Sequence, residues 1–181
     1  MNRRAFLVVP CAAAIFVSVG SATTHIVRPD GSGDFATIQA AIDAAADGDV
    51  IELTDGMFLG PGNRDILYRG KAITVRSQSG NPDACVIDCE GSPGAPHRGF
   101  FFLDDGAGGV LEGVTVTNGY QLNGGGVYIM YTSLTIERCI FRHNTAGNSG
   151  GGAYCDFGAN VTFVGCTFAA NMAPGGGGFC I

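Results

Sequence analysis

Phe141-Arg142-His143-Asn144 returns 27 residues later as Phe168-Ala169-Ala170-Asn171. Cys139 and Cys166 precede the two Phe residues at the same offset, and Leu134-Thr135-Ile136 recurs as Val161-Thr162-Phe163. Glycine runs follow each copy: Gly150-Gly151-Gly152, then Gly175 to Gly178. A period in the twenties marks stacked supersecondary units, none of which can bury its apolar face alone. Each unit holds three short strand-like pieces in fixed order: Val127-Tyr128-Ile129, Leu134-Thr135-Ile136 and Cys139-Ile140-Phe141. A hairpin meander would reverse the chain at every turn. Three pieces and three bends instead make one turn of a coil, so like pieces fall above like pieces in parallel sheets, with right-handed connections. The inward set is Val127, Ile129, Leu134, Ile136, Cys139 and Phe141, with Ala153, Cys155, Val161, Phe163, Cys166 and Phe168 above it. Ala153 and Gly178 leave room for the Phe rings opposite. Asn144 and Asn171 fall at a bend, where stacked amides can hydrogen-bond along the coil axis and tolerate left-handed backbone.

Upstream, Thr24 to Arg28 reads as a first strand, and Pro29 to Asp34 as a turn. Ile38, Ala41, Ile42 and Ala45 lie at i, i+3, i+4 and i+7, which predicts an amphipathic helix near Thr37 to Asp47. Thr37 caps its start and Gly48 supplies a left-handed residue at its end. Strands are expected at Val50 to Leu53, Ile73 to Arg76, Cys85 to Asp88, Phe100 to Leu103 and Val110 to Thr117. The coil then runs from about Asp49 to the end, roughly five turns at ~4.8 Å spacing. The fold class is all-β: a right-handed parallel β-helix (solenoid) with an N-terminal capping α-helix.

Thirty Gly and 14 % charged residues are unusual for one domain, but there is no G-X-Y period, and 46 % of residues are hydrophobic. Collagenous and disordered readings therefore fail. The glycines gather at repeat boundaries, where turns need positive φ. Residues 1–22 read as a signal peptide, with residues 23–181 as the β-helix. Arg3 and Arg4 form a basic region, Ala5 to Val19 is apolar, and Gly20-Ser21-Ala22 supplies a cleavage site. Arg3-Arg4-Ala5-Phe6-Leu7 also resembles a twin-arginine signal; Asn2 favours the general secretory route. Cleavage removes two of ten basic residues and none of sixteen acidic ones, leaving a net charge of −8. No electrostatic reason to bind nucleic acid remains. Six cysteines follow the signal: Cys85, Cys89, Cys139, Cys155, Cys166 and Cys180. An even count in an exported chain suggests disulfides, but Cys85 and Cys89 on one strand are too far apart to pair. Cys139 over Cys166, and Cys155 with Cys180, would be strained by parallel Cβ vectors. Disulfides and buried free thiols both stand.

Asp30-Gly31-Ser32-Gly33-Asp34-Phe35-Ala36-Thr37-Ile38-Gln39-Ala40-Ala41-Ile42 resembles the opening of pectin methylesterases and other pectate-lyase-like β-helix proteins. In that superfamily the short helix plugs the mouth of the β-helix. The F-x-x-N and G-G-A/G-x elements resemble the repeats of polymorphic outer-membrane proteins and related right-handed β-helix repeat proteins. Together the two stretches cover most of the chain after the signal. They imply the fold more than an activity. Gly152-Ala153-Tyr154-Cys155-Asp156-Phe157-Gly158 shares only an Asp-Phe and nearby glycines with the esterase segment that holds a catalytic aspartate. Asp156 then reads as a turn residue. Asp104-Asp105 opens a glycine-rich turn, and two adjacent carboxylates do not define a calcium site. His25, His97 and His143 are far apart, and no CxxC pair points to zinc. Asn160-Val161-Thr162 matches a glycosylation acceptor on an expected strand.

No catalytic residue, cofactor site or metal site is assigned. The chain is expected to be an exported, noncatalytic β-helix repeat protein: a surface adhesin, passenger-like domain or structural module, extracellular or at the outer membrane. The alternatives are a carbohydrate-active enzyme of the lyase, esterase or epimerase type acting on acidic polysaccharide, or a carbohydrate-binding module with Tyr128, Tyr154 and Phe179 as an outward sugar platform. Expected partners are a polysaccharide or cell-surface ligand, and other copies of the chain. Phe179-Cys180-Ile181 would present open sheet edges, which implies a fragment of a longer β-helix or end-to-end association.

Overall fold

The computed structural model describes residues 21–103 and 107–181. Strand β1 (Thr24–Val27) precedes helix α1 (Ile38–Ala44). The strands that follow are β2 (Val50–Leu53), β3 (Gly56–Phe58), β4 (Thr74–Ser77), β5 (Cys85–Asp88), β6 (Phe100–Leu103), β7 (Ala107–Glu112) and β8 (Thr115–Thr117). Then come β9 (Tyr120–Asn123), β10 (Val127–Met130), β11 (Ser133–Glu137), β12 (Ile140–Arg142) and β13 (Thr145–Ser149). The last are β14 (Ala153–Asp156), β15 (Asn160–Val164), β16 (Thr167–Ala169) and β17 (Phe179–Cys180). They assemble into three main faces, β1-β2-β4-β7-β11-β15, β3-β5-β8-β12-β16 and β6-β10-β14-β17, with β9-β13 as a short fourth ladder. Every pairing between these strands is parallel. The fold is the expected parallel β-solenoid.

The first face has six strands, not five, because the coil starts at β1 rather than near Asp49. Helix α1 is inserted after that first strand and lies over the core with Ile38, Ala41 and Ile42 buried. The Thr37 side chain accepts a hydrogen bond from Ala40 N, as expected of an N-cap. The other end differs from expectation. Ala45 is extended there (φ −66°, ψ 150°), and Gly48 (φ 88°) belongs to the following turn. Asp49 holds that turn to the first strand, accepting from Thr23 N at 2.8 Å and Ala46 N at 2.9 Å.

Inside the coil, side chains meet their own counterparts one turn away. Ile51, Val75, Leu111 and Ile136 form one fully buried row. Phe58, Ile87, Val116 and Phe141 form another. Phe141 registers with Phe168, and their rings stack at 5.1 Å with a 13° interplanar angle. The rows continue into Phe163 and Phe168, which are only partly buried because the last turn of coil has core neighbours on one side. The single expected strand over Val110 to Thr117 is split into β7 and β8. Gly113 (φ 65°) turns the corner between them, as Arg138 (φ 48°) and Gly165 (φ 61°) do in the next two turns.

The glycine runs have a different cause from the one expected. Only one glycine of each run has positive φ: Gly124 (61°), Gly150 (64°) and Gly176 (70°). The others are needed because successive turns of backbone touch. A Cβ on Gly126, Gly151 or Gly152 would lie 2.5 Å from the carbonyl oxygen of Gly152, Gly177 or Gly178.

Candidate functional site

The repeated asparagines are structural. Asn144 is fully buried, and its side chain and backbone N take part in four hydrogen bonds. Its Oδ1 accepts from Gly119 N at 2.8 Å, and its Nδ2 donates to Val116 O at 3.0 Å and to Asn171 Oδ1 at 3.1 Å. Its own N donates to Asn171 Oδ1 at 3.0 Å. Asn171 Nδ2 in turn donates to Phe141 O at 2.8 Å. The left-handed residue at this corner is not the asparagine but the one before it, His143 (φ 55°) and Ala170 (φ 51°). That bend aims the amide into the coil.

Among the described residues, a regular outward pattern occurs on the outer side of the β6-β10-β14 face. Parallel pairing puts Phe101, Tyr128 and Tyr154 in one outward row. Their ring centroids are 5.4 and 5.2 Å apart. Phe179 does not continue the row: it registers with Ala153, on the inward side, and packs edge-on against Phe163 at 5.2 Å. Cys180 takes the outward place beside Tyr154, because the period on this face is 26. At the adjoining corner Tyr131 and Phe157 stack at 5.5 Å, more than half exposed, both in left-handed backbone (φ 53° and 46°). Bulky residues in that conformation carry strain.

Arg98 lies across this row. Its guanidinium carbon is 5.2 Å from the centroids of both Phe101 and Tyr128, within cation–π range. Burial pulls the guanidinium below its ordinary value, though an arginine stays charged. Its Nη1 is buried without a hydrogen-bond partner. The nearby Asp65 is already engaged, with its carboxylate on His97 Nδ1 at 2.6 Å and on Arg98 N at 3.0 Å. At the other end, Asp156 accepts from the Tyr154 hydroxyl at 3.1 Å and from Phe157 N at 2.8 Å. That hydrogen bond raises the Tyr154 phenol, while burial is the main cause raising Tyr128.

The sequence pointed to Tyr128 and Tyr154 and overlooked Phe101 and Arg98. Phe101 was legible, since it precedes Tyr128 by 27 residues. Arg98 belongs to no repeat. The structure does not bring the other candidates together. His25 sits beside Asp49 at 3.3 Å, His97 beside Asp65, and His143 lies at an exposed bend. Asp104 and Asp105 lie outside the described residues, as do residues 1–20 of the expected signal peptide. No group of three His, Cys, Asp or Glu that could hold a metal occurs among the described residues. None of their helices is long and apolar enough to cross a membrane, a statement that does not bear on strand-built spans.

All six cysteines among the described residues are free thiols. Residues flanking Cys139 and Cys166 are in register, so these two stack as expected. Cys155 and Cys180 do not: Cys180 registers with Tyr154, so the pair sits on opposite sides of the sheet. A hollow of about 200 Å³ lined by Asp156, Phe157 and Ile181 opens at the C-terminal corner.

The sequence profile of the "Right handed beta helix region" family matches residues 63–181. Among curated proteins none matches the sequence. Among solved structures, the crystal structure of pectate lyase Pel9A superimposes with a TM-score of 0.52 at 21 % identity. That match covers 82 % of this chain and 48 % of the lyase, so this chain spans about half the lyase's length. At that identity the likeness is one of fold.

Proposed function

Since the chain belongs to the right-handed β-helix family, we propose that it is an exported, noncatalytic β-helix repeat protein. It displays a ligand-binding face outside the cell or at its outer surface, in the manner of an adhesin or passenger-like module. The observation that carries this reading is the outward row Phe101, Tyr128 and Tyr154 on a parallel sheet. Each ring is backed by a buried row and braced by its neighbours, which makes a stiff aromatic platform. With centroids 5.2 and 5.4 Å apart the rings pack against one another into a continuous apolar strip that also carries two tyrosine hydroxyls, a surface along which the C–H face of a sugar can lie. The repeat's most regular polar groups, Asn144 and Asn171, are consumed by the coil itself.

The partner is a surface polysaccharide. Purified protein is expected to be retarded in gels containing such a glycan, and Tyr128→Ala with Tyr154→Ala to abolish the retardation without changing the melting temperature. Unaltered retardation of the double variant would sink the reading. Release of unsaturated uronides or methanol from pectin, lost on changing Asp156, would replace it with a lyase or esterase. Export rests on residues 1–22, and N-terminal sequencing of the protein recovered outside the cytoplasm is expected to begin at Thr23.

A further inference from the structure

We propose that Cys139 and Cys166 form a redox-responsive clasp. Their oxidation by a small-molecule disulfide ties the turn of coil that holds β15 and β16 to the turn that holds β11 and β12.

Four observations converge on this pair. First, the two cysteines are stacked neighbours on adjacent turns. Ile140 and Thr167, the residues that follow them, are in register, and the Cys139 carbonyl accepts from Thr167 N at 2.9 Å. Adjacent parallel turns lie about 4.8 Å apart, inside the span of roughly 4.4–6.8 Å between Cα atoms that a disulfide bridges. The Cys139 thiol already donates a hydrogen bond to the Cys166 sulfur. Second, the two thiols differ in access. Cys139 is fully buried, whereas Cys166 is half-buried at the corner that follows Gly165. The same hydrogen bond lowers Cys166, and the thiolate is the nucleophilic form. Cys166 is therefore the entry point and Cys139 the resolving thiol. Third, the other cysteines are not stacked in this way. Cys85 opens β5 and Cys89 follows its end, and Cys155 and Cys180 lie on opposite sides of their sheet. Fourth, a bond here acts where the coil is least covered. Phe163 and Phe168, beside Cys166 in sequence, are only partly buried. Val114, which holds the place of Cys139 one turn earlier, is fully buried. The parallel Cβ vectors leave the bond strained, and a strained disulfide is readily reduced. The clasp therefore opens as well as closes.

The exchange runs in two steps. The Cys166 thiolate attacks one sulfur of the small disulfide RSSR. Its S–S bond breaks, RS⁻ departs, and Cys166 carries a mixed disulfide. The departed RS⁻ takes up the Cys139 proton. The Cys139 thiolate then attacks the Cys166 sulfur and expels the second RS⁻, which takes up the proton that Cys166 gave up at the start. The two cysteines lose two electrons and two protons, and RSSR becomes two RSH.

The test uses the purified protein, reduced, desalted and exposed to oxidised glutathione at pH 8. A glutathione adduct on Cys166 is expected first. Its loss should follow, with a bond between Cys139 and Cys166 in tandem mass spectra. Oxidation should raise the urea midpoint, and dithiothreitol should return it. Cys139→Val, which repeats the residue found at Val114, should stop at the adduct on Cys166. Cys166→Ser should form neither adduct nor bond at this corner, and it serves if Cys139→Val misfolds. Survival of both thiols under the oxidant would overturn the proposal. So would an adduct on wild-type Cys166 that never resolves, or a bond from either residue to another cysteine. A Cys139–Cys166 bond that leaves the urea midpoint unchanged would equally rule out a clasp.

Discussion

Asn144 shows how one side chain can hold three turns of backbone. Its amide reaches Val116 and Gly119 on one side and Asn171 on the other, with no exposure to water. Asn144→Ala strands Gly119 N and Val116 O in a dry corner. We expect a loss of about 2–4 kcal/mol, in line with an unsatisfied buried group plus the bonds removed. Urea unfolding followed by circular dichroism checks this, and a loss below about 1 kcal/mol would mean that water reaches the corner. The thiols make a second case. Burial pushes Cys85 and Cys155 up to about 12 and drives Cys89 and Cys139 upward too. Cys166 is only half buried, and a hydrogen bond from the Cys139 thiol lowers it. Because the thiolate is the reactive form, iodoacetamide at pH 8 should label Cys166 and Cys180 in the folded protein. Cys85, Cys89, Cys139 and Cys155 should wait for urea. Peptide mass mapping reads the order directly, and early labelling of Cys89 would contradict it.

Helix α1 is seven residues long, too short to be stable by itself. Packing of Ile38, Ala41 and Ile42 on the first turns of the coil stabilises it. Ile38 is fully buried, and its N donates to Asn63 Oδ1 at 3.0 Å. Ile38→Asp would place an unpaired charge there, and we expect a clear drop in urea midpoint, of several kcal/mol by the usual cost of such burial. An unchanged midpoint would show that the helix does not cap the core. The tie beside it should depend on pH. Donation from Thr23 N, then from Ala46 N, holds the Asp49 carboxyl below the ordinary carboxylate range. A depressed folded-state pKa stabilises the fold above the unfolded value, and the contribution fades as pH falls through the folded one. The seam between β1 and the following turn should therefore loosen only on the acid side, below about pH 4. Asp49→Asn should lower stability at pH 7 and flatten the acid-side decline, as measured by urea midpoints at pH 7 and pH 3.

The coil as an assembly is well covered at its N-terminal end and less so at the other. Val161, Phe163 and Phe168 are partly buried, Phe179 is 39 % exposed and Ile181 is 89 % exposed. A protein consisting of these 181 residues is expected to associate end to end, because parallel edges and apolar rows template further pairing. Light scattering should show species that grow with concentration. A monomer at high concentration, with amides of Phe179 and Cys180 slow to exchange, would rule this out.

Stacking was legible in the chain because a parallel coil brings each residue to its own copy. Phe141 over Phe168 and Asn144 over Asn171 are periodic in sequence and adjacent in space for the same reason. The inward rows follow from that period and the alternation of strands. Contacts between unlike positions carry no such signature. Thr23 reaching Asp49, and Arg98 lying on Phe101 and Tyr128, depend on where bends throw the chain. The bends also vary: the period is 26 along Tyr128, Tyr154 and Cys180 but 27 from Phe141 to Phe168, with Gly158 as the extra residue at one corner. One residue of drift turned Phe179 inward, since a strand exchanges its two faces at every step. The amino-acid order thus dictated that the chain coils and which side chains stack, through repetition. The face that Phe179 joins, and the company that Arg98 keeps, were settled by corner geometry, which repetition does not encode.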